Sequence, residues 1–353
     1  MELFINKINK KDVLNSYNLA RKSDLVFSEI ISNENFDRLN ISNCKVIFRD
    51  KDKTFYQLKE FQLSENQTIF CNTYMIKSLF SLLNKNNQLK NLKLITHQTD
   101  LSISKKTFKN KPSCISEWYS INVDFENENL IPIPIGLSNE YSPKNVFANN
   151  YKKYKNKALE EKIDECYVNF QKNTNIKERE QLEKNIRKIK WVKHDQPNLD
   201  IDDYVSNLID YKYILAPFGN GIDTHRIWET LYAGSIPVVE KHLNFNSFSD
   251  LPIIQINNFM ELDILTLNTY LKKIDRNMFY SKKLTTNYWI SLINEKKISH
   301  NDEIYTFKQP DSLTNYFISI YKHKENLNSK IKKIKYNARR IKNRLNKILS
   351  LTD

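Results

Sequence analysis

Glycine is nearly absent from this 353-residue chain. It has four glycines, and three of them, Gly219, Gly221 and Gly234, fall in one short stretch. A chain that avoids glycine elsewhere places it where the backbone must turn sharply or come very close to something. Cysteine is equally sparse. Cys44, Cys71, Cys114 and Cys166 form no CxxC pair, which argues against a disulfide framework or a zinc site and predicts a reducing, cytoplasmic setting. No apolar run reaches the roughly 18 residues of a membrane span. The opening MELFINKINKKDVLNSYN also lacks the apolar stretch of a signal peptide.

What the chain does have is apolar and basic. Hydrophobic residues make up 40% and aromatic residues 12%, enough for real cores, and the length predicts about two domains. The net charge of +14 is unevenly placed. Residues 321–353 hold eleven Lys/Arg against Glu325 and Asp353, so the tail carries +9 and the remaining chain only +5.

Apolar strand patterns recur through the first 150 residues, at Leu3–Ile8, Asp24–Ile30, Cys44–Phe48, Thr68–Thr73, Leu92–His97 and Leu130–Leu137. A helix is predicted from Tyr74, with Ile76, Leu79, Phe80 and Leu83 on one face. Alternating strands and helices predict an α/β domain over 1–150 with a mainly parallel sheet. The polar stretch 143–162 reads as a boundary. A second set follows over 151–320: strand Cys166–Phe170, a helix capped at Asn175 with Glu178 three positions on, strand Lys190–His194, helix Ile201–Ile209, and strands at 211–216, 236–239 and 251–256. Five strands with short helical crossovers suit a Rossmann-like domain. Residues 321–353 form a separate basic helical tail.

The glycine stretch is the third crossover of that second set. Tyr213–Ala216 reads as a buried strand, Pro217–Gly221 as a turn, Asp223–Ala233 as a helix, Gly234 as its stop and Ile236–Val239 as the next strand. Free amides at such a helix start favour an anion. Asp223 or Thr224 would cap the helix. Arg226 lies in the first turn and Glu229 three residues on, a guanidinium near a phosphate pocket with a carboxylate one turn deeper. Two plainer readings stand beside this: a common GNG turn, and an i, i+3 surface ion pair between Arg226 and Glu229. Neither GxxxxGK[ST] nor GxGxxG fits the segment.

The segment APFGNGIDTHRIWETLYAGSIPVVE (216–240) resembles the nucleotide-binding signature of exostosin-like glycosyltransferases, approximately PRGNGxDxxRxWEALxxGxIPVV. Weaker likeness extends to Tyr167–Arg179, Ile95–Asp100, Trp118–Asp124 and Ile131–Leu137, within residues 24–260. The resemblance implies a GT-B-like arrangement: two facing Rossmann-like domains, the N-terminal one taking the acceptor and the C-terminal one a nucleotide sugar, commonly a UDP-sugar, with no tightly held metal. It implies donor binding by Gly219, Asn220, Gly221, Asp223, Thr224, His225, Arg226 and Glu229. Arg226 would meet the diphosphate, and Glu229 the ribose or sugar. The family's Arg after Pro is Phe218 here, and Lys172 is a candidate to compensate. A fucosyltransferase-like enzyme using GDP-fucose is the alternative, because the pattern AGxxPVV recurs there.

An inverting transfer needs a base for the acceptor hydroxyl. His97 and Asp100 follow the strand Leu92–Thr96 at the carboxyl end, where ligands gather in open sheets. A buried His and a loop-capping Asp are the plain alternative. Asp124 is a weaker candidate, and His225 is equally a capping neighbour. Asp202 and Asp203 sit at a helix start, where acids are ordinary caps, and are not read as a metal site.

In the tail, Leu327, Ile331, Ile334, Ala338, Ile341, Leu345 and Ile348 are spaced alternately four and three apart. A basic helix with such a stripe fits an anionic membrane surface over 321–349, a coiled coil, nucleic acid, or packing on the protein's own body. The membrane and packing readings lead, and nucleic acid is the least favoured. A non-catalytic basic protein that binds nucleic acid through this tail is the alternative of another class.

Overall fold

The computed structural model describes residues 2–142, 145–295 and 303–349. The chain divides into two compact units, 1–307 and 308–353. Both sheets predicted from the sequence lie in the first unit.

The first half builds α1 (Phe4–Lys7), α2 (Ser16–Arg21), β1 (Leu25–Ser32), α3 (Asn33–Leu39), β2 (Cys44–Arg49), β3 (Lys53–Leu58), β4 (Glu60–Leu63), β5 (Thr68–Asn72), α4 (Ile76–Leu83), β6 (Leu92–His97), α5 (Lys105–Lys109), β7 (Ile115–Ser120) and β8 (Leu130–Pro132). Seven of these strands form one sheet in the order β2-β3-β1-β5-β6-β7-β8. From β1 to β8 the neighbours are parallel, while β3 pairs antiparallel with both β1 and β2. The mainly parallel sheet therefore carries an antiparallel edge, which the sequence reading did not foresee. The Leu3–Ile8 strand is a further correction, since Phe4–Lys7 is a helical turn. Leu3 and Ile5 are both buried. A short apolar run has no intrinsic choice between strand and helix, and here the core decides.

The second half builds β9 (Ile163–Val168), α6 (Ile176–Ile186), β10 (Val192–His194), α7 (Ile201–Asp210), β11 (Tyr211–Leu215), α8 (His225–Tyr232), β12 (Ile236–Glu240) and β13 (Ile254–Ile256). All five strands are parallel, in the order β10-β9-β11-β12-β13. Helices α9 (Ile264–Leu271) and α10 (Thr286–Asn294) follow, then β14 (Tyr305–Lys308), which pairs with β4. Alternation along the second sheet sets its two faces. Tyr167, Ile214 and Val239 join a core shared with Phe70, Ile95 and Tyr119 of the first sheet. Cys166, Tyr213, Leu215 and Val238 face a separate cluster under α6 and α9.

Strand order locates the functional crevice. The connection leaving β9 runs to β10 on one side, and the connection leaving β11 runs to β12 on the other. The carboxyl ends of β9 and β11 therefore part at a switch point, where open α/β sheets hold ligands.

The second unit contains α11 (Asp311–Leu349), one helix of 39 residues that begins ten residues before the predicted tail. Leu327, Ile331 and Ile334 of the predicted stripe are exposed. The side chains of Ala338, Ile341, Leu345 and Ile348 lie outside the described residues. No helix among the described residues is long and apolar enough to cross a membrane.

Candidate active site

Strand β11 ends where Pro217 removes a backbone donor, and the chain turns through Phe218–Gly221 before α8. Gly219 N–H donates to the Gly221 carbonyl at 3.0 Å, closing the turn on itself. Arg179 of α6 then fixes it. Its Nε donates to the Phe218 carbonyl at 2.9 Å and its Nη2 to the Pro217 carbonyl at 2.8 Å, while Nη1 reaches Gln171 and Thr174. Burial, and then the Arg226 charge, bring the Arg179 pKa down to about 10. A guanidinium held by neutral carbonyls leaves its positive charge uncancelled.

The other side of the loop meets the first half of the chain. Asn122 Oδ1 accepts from the amides of Ile222 (2.9 Å) and Asp223 (3.0 Å). Its own backbone has φ +56°, a left-handed conformation that Asn tolerates better than most residues. A Cβ on Gly221 would lie 2.8 Å from Asn122 Nδ2, so this glycine admits a neighbouring side chain. Gly234, at φ +68°, ends α8 as the sequence predicts. Asn220 is the exposed tip of the turn.

Asp223 is a clamp between the halves. It is buried, accepts from Ile135 N–H at 2.7 Å and from Trp228 Nε1–H at 2.9 Å, and burial raises its pKa to about 7. His225 also reaches across: Nδ1 donates to the Gly136 carbonyl at 2.7 Å, which fixes the tautomer. Thr224 occupies the cap position of α8 without capping it, and its buried hydroxyl has no hydrogen-bond partner among the described residues.

Arg226 and Glu229 do not pair. Tyr204 of α7 stands with both: its ring lies 5.5 Å from the Arg226 guanidinium, and its hydroxyl donates to Glu229 Oε2 at 2.8 Å. The surface ion-pair reading therefore fails. Arg226 Nη1 is buried and has no hydrogen-bond partner among the described residues. It borders a pocket of about 180 Å³ that Glu229, Tyr204, Asn169, Gln171 and Asn145 also line. Asn169 and Gln171 follow β9 and Arg226 follows β11, so the pocket occupies the crevice that the strand order marks. Its volume is below the roughly 300–1,000 Å³ of whole-ligand clefts, and it suits one end of a larger ligand.

The remaining sequence candidates are placed as follows. Lys172 forms an ion pair with Glu183, which also takes Arg187 at 2.8 Å, so its ammonium is engaged away from the loop. Asn175 does not cap α6, and its amide binds the Glu178 carboxylate at 2.6 Å. His97 is buried: Nδ1 accepts from Gln98 N–H at 2.8 Å, leaving Nε2–H to meet the Pro134 carbonyl at 3.3 Å. Desolvation drives its pKa down to about 3. With both ring nitrogens engaged, His97 is a scaffold residue in this geometry. Asp100 is exposed three residues further on, just past Gln98, whose φ of +69° turns the chain sharply out of β6. Asp124 is exposed as well.

Arg179, Tyr204 and Asn122 escaped the sequence reading. Tyr204 sits in a helical apolar pattern and reads as core, and only its neighbours reveal a polar task. Asn122 carries a weak signal, an Asn directly after a strand.

No protein-family model matches the chain, and no curated protein matches it. Among solved structures, an α1,3-fucosyltransferase aligns over 65% of this chain and 78% of its own length, at 14% identity and a TM-score of 0.32. That similarity is too low to bear on the site.

Proposed function

We propose that the chain is a glycosyltransferase that moves a sugar from a nucleotide-sugar donor to a glycan or lipid-linked acceptor. The observation that carries this reading is the Arg226 guanidinium at the switch-point crevice beside the first turn of α8: its Nη1 is buried with no hydrogen-bond partner among the described residues, and no carboxylate pairs with it there. A positive group so placed has a site for an anion and lacks one. The donor diphosphate supplies it. Glu229, oriented by Tyr204, offers carboxylate oxygen to a ribose or sugar hydroxyl.

In the transfer, an acceptor hydroxyl oxygen bonds to the anomeric carbon while the bond from that carbon to the diphosphate breaks. The electron pair leaves with the diphosphate, where Arg226 and the α8 amides stabilise the added charge. The hydroxyl proton passes to a base, a role that falls to the exposed Asp100. UDP-sugars lead as donors, and GDP-fucose is the second arm of the same test. The basic helix α11 would bring the enzyme to an anionic membrane surface where lipid-linked acceptors reside.

The test is binding and hydrolysis of a panel of UDP- and GDP-sugars by the wild type and by Arg226→Ala. Saturable binding of one nucleotide class, weakened in the variant, supports the reading. No binding of any nucleotide sugar overturns it.

A further inference from the structure

We propose that the first sheet carries a second ligand pocket, one that takes an anionic sugar, a hexose bearing a phosphate or a carboxylate. The proposal rests on the transferase reading above and gives the acceptor its chemical class.

Placement comes from topology. After β1 the chain runs outward to the antiparallel pair β2 and β3, whereas β5 to β8 add on the opposite side. β1 is the strand at which the order reverses, and its carboxyl end is the expected ligand crevice of this sheet. A cavity of about 690 Å³ lies there, bounded by α2, by the end of β1 with α3, and by residues 137–141 and 147–149. Residues 145 and 146 line the donor pocket and 147–149 line this cavity, so adjacent residues border both.

Charge and shape name the occupant. Lys10 and Lys22 are paired with Glu140 and Asp12. Lys11 and Arg38 belong to no ion pair among the described residues, and Glu34 is the one other acid in the lining. The Arg38 guanidinium rests on neutral oxygens, Tyr17 OH at 3.0 Å and Asn35 Oδ1 at 2.5 Å. Arg21 stacks on the Tyr17 ring at 5.2 Å and pairs with the buried Glu29, but its Nε is buried with no hydrogen-bond partner among the described residues. Tyr17 thus carries one guanidinium over its ring and another at its hydroxyl, and the acidic group of a sugar in the cavity would meet an arginine fork there. Beneath it, Asn139 donates to Ser16 Oγ at 2.6 Å, and Gln98 ties the same oxygen to the end of β6 at 3.1 Å. Those bonds hold Asn139 in the lining, and Asn15, Asn18, Asn35 and Asn149 line the same cavity, amide groups that suit sugar hydroxyls.

The test measures binding of glucose 6-phosphate, glucuronate, glucose and inorganic phosphate to the full chain by calorimetry or ligand-observed NMR. It compares wild type, Arg38→Ala, Lys11→Ala and Arg226→Ala, with UDP and GDP as the donor-site probes. At least one acidic sugar should bind roughly tenfold or more tightly than glucose and than phosphate. Arg38→Ala should weaken it by about tenfold and leave UDP unchanged, and Arg226→Ala should do the reverse. Arg38 and Lys11 are exposed, and a thermal melt confirms that the variants fold. Equal binding of glucose, equal binding of phosphate alone, or indifference to both pocket variants overturns the proposal. If acidic sugars bind through Arg38 while neither UDP nor GDP binds anywhere, the pocket stands and the donor reading falls.

Discussion

Tyr204 donates its hydroxyl to Glu229 at 2.8 Å. The same ring lies under the Arg226 guanidinium, so one residue occupies the place where the two charges of α8 would otherwise meet. Arg226 keeps its charge available and Glu229 keeps a fixed orientation. Tyr204→Phe retains the ring and removes the hydroxyl. Glu229, 7% exposed, then loses a donor, a cost of about 1–3 kcal/mol, and is free to turn onto Arg226. Thermal melting should shift down by about 2–4 °C for each kcal/mol lost, and UDP affinity should fall by roughly tenfold. Unchanged UDP affinity in Tyr204→Phe would show that the hydroxyl does not keep the pair apart.

The two loop glycines make opposite predictions. A Cβ on Gly219 meets nothing closer than Arg179 Nη2 at 3.5 Å, an ordinary contact. A Cβ on Gly221 comes within 2.8 Å of Asn122 Nδ2 and 2.9 Å of its Oδ1, and would displace the carboxamide that holds the amides of Ile222 and Asp223. Gly221→Ala should therefore cost about 1–3 kcal/mol in urea unfolding, with Gly219→Ala near wild type. The reverse order of stabilities would contradict this account of the loop.

Lys162 sets a pH dependence. Its ammonium is buried among the Ile209 carbonyl, the Ala233 carbonyl at 3.3 Å and Ser235 Oγ at 2.9 Å. Burial pushes its pKa down to about 7, with Asp210 opposing. Between that value and the roughly 10.4 of a free lysine, the unfolded chain binds a proton that the folded chain does not. This group's contribution to stability is therefore full above the upper value and is lost as pH falls through the lower one. In denaturant unfolding, wild type minus Lys162→Met should grow between about pH 6.5 and about pH 9.5. A flat difference would remove the buried lysine from the account.

For the basic helix, sedimentation with phosphatidylserine vesicles is the check. Exposed Leu327, Ile331 and Ile334 lie among lysines, so the full chain should bind anionic vesicles, not neutral ones, and release as salt rises. Replacing Lys330, Lys332, Lys333 and Lys335 by Glu should abolish binding. Equal binding to neutral vesicles would argue against the membrane role.

The second half of the chain was the more legible. Buried strands β11 and β12 with an amphipathic helix between them leave a periodic trace, and the scarcity of glycine marked both the turn and the stop at Gly234. β3 and β7 were missed because polar residues interrupt Lys53–Leu58 and Ile115–Ser120, and their pairing is decided by distant neighbours. The site was legible at Arg226 and Glu229 because local spacing puts both on α8. It was not legible at Arg179, Asn122 or Tyr204, which arrive from elsewhere in the chain. His97 shows the opposite limit. A His after a strand reads equally as a base or as a buried residue, and only the fold decides, through the Gln98 amide and the Pro134 carbonyl that occupy its ring. Lys172 likewise reads as a free cation until α6 brings Glu183 to it.

The central claim is that the unpaired Arg226 holds the diphosphate of a nucleotide sugar. Calorimetric titration of the wild type and Arg226→Ala with UDP- and GDP-sugars tests it most directly. Because Arg226 forms no ion pair among the described residues, the variant should melt close to wild type yet bind its nucleotide sugar about 10–100-fold more weakly. Equal affinity in the two proteins, or no binding to either, would contradict the account.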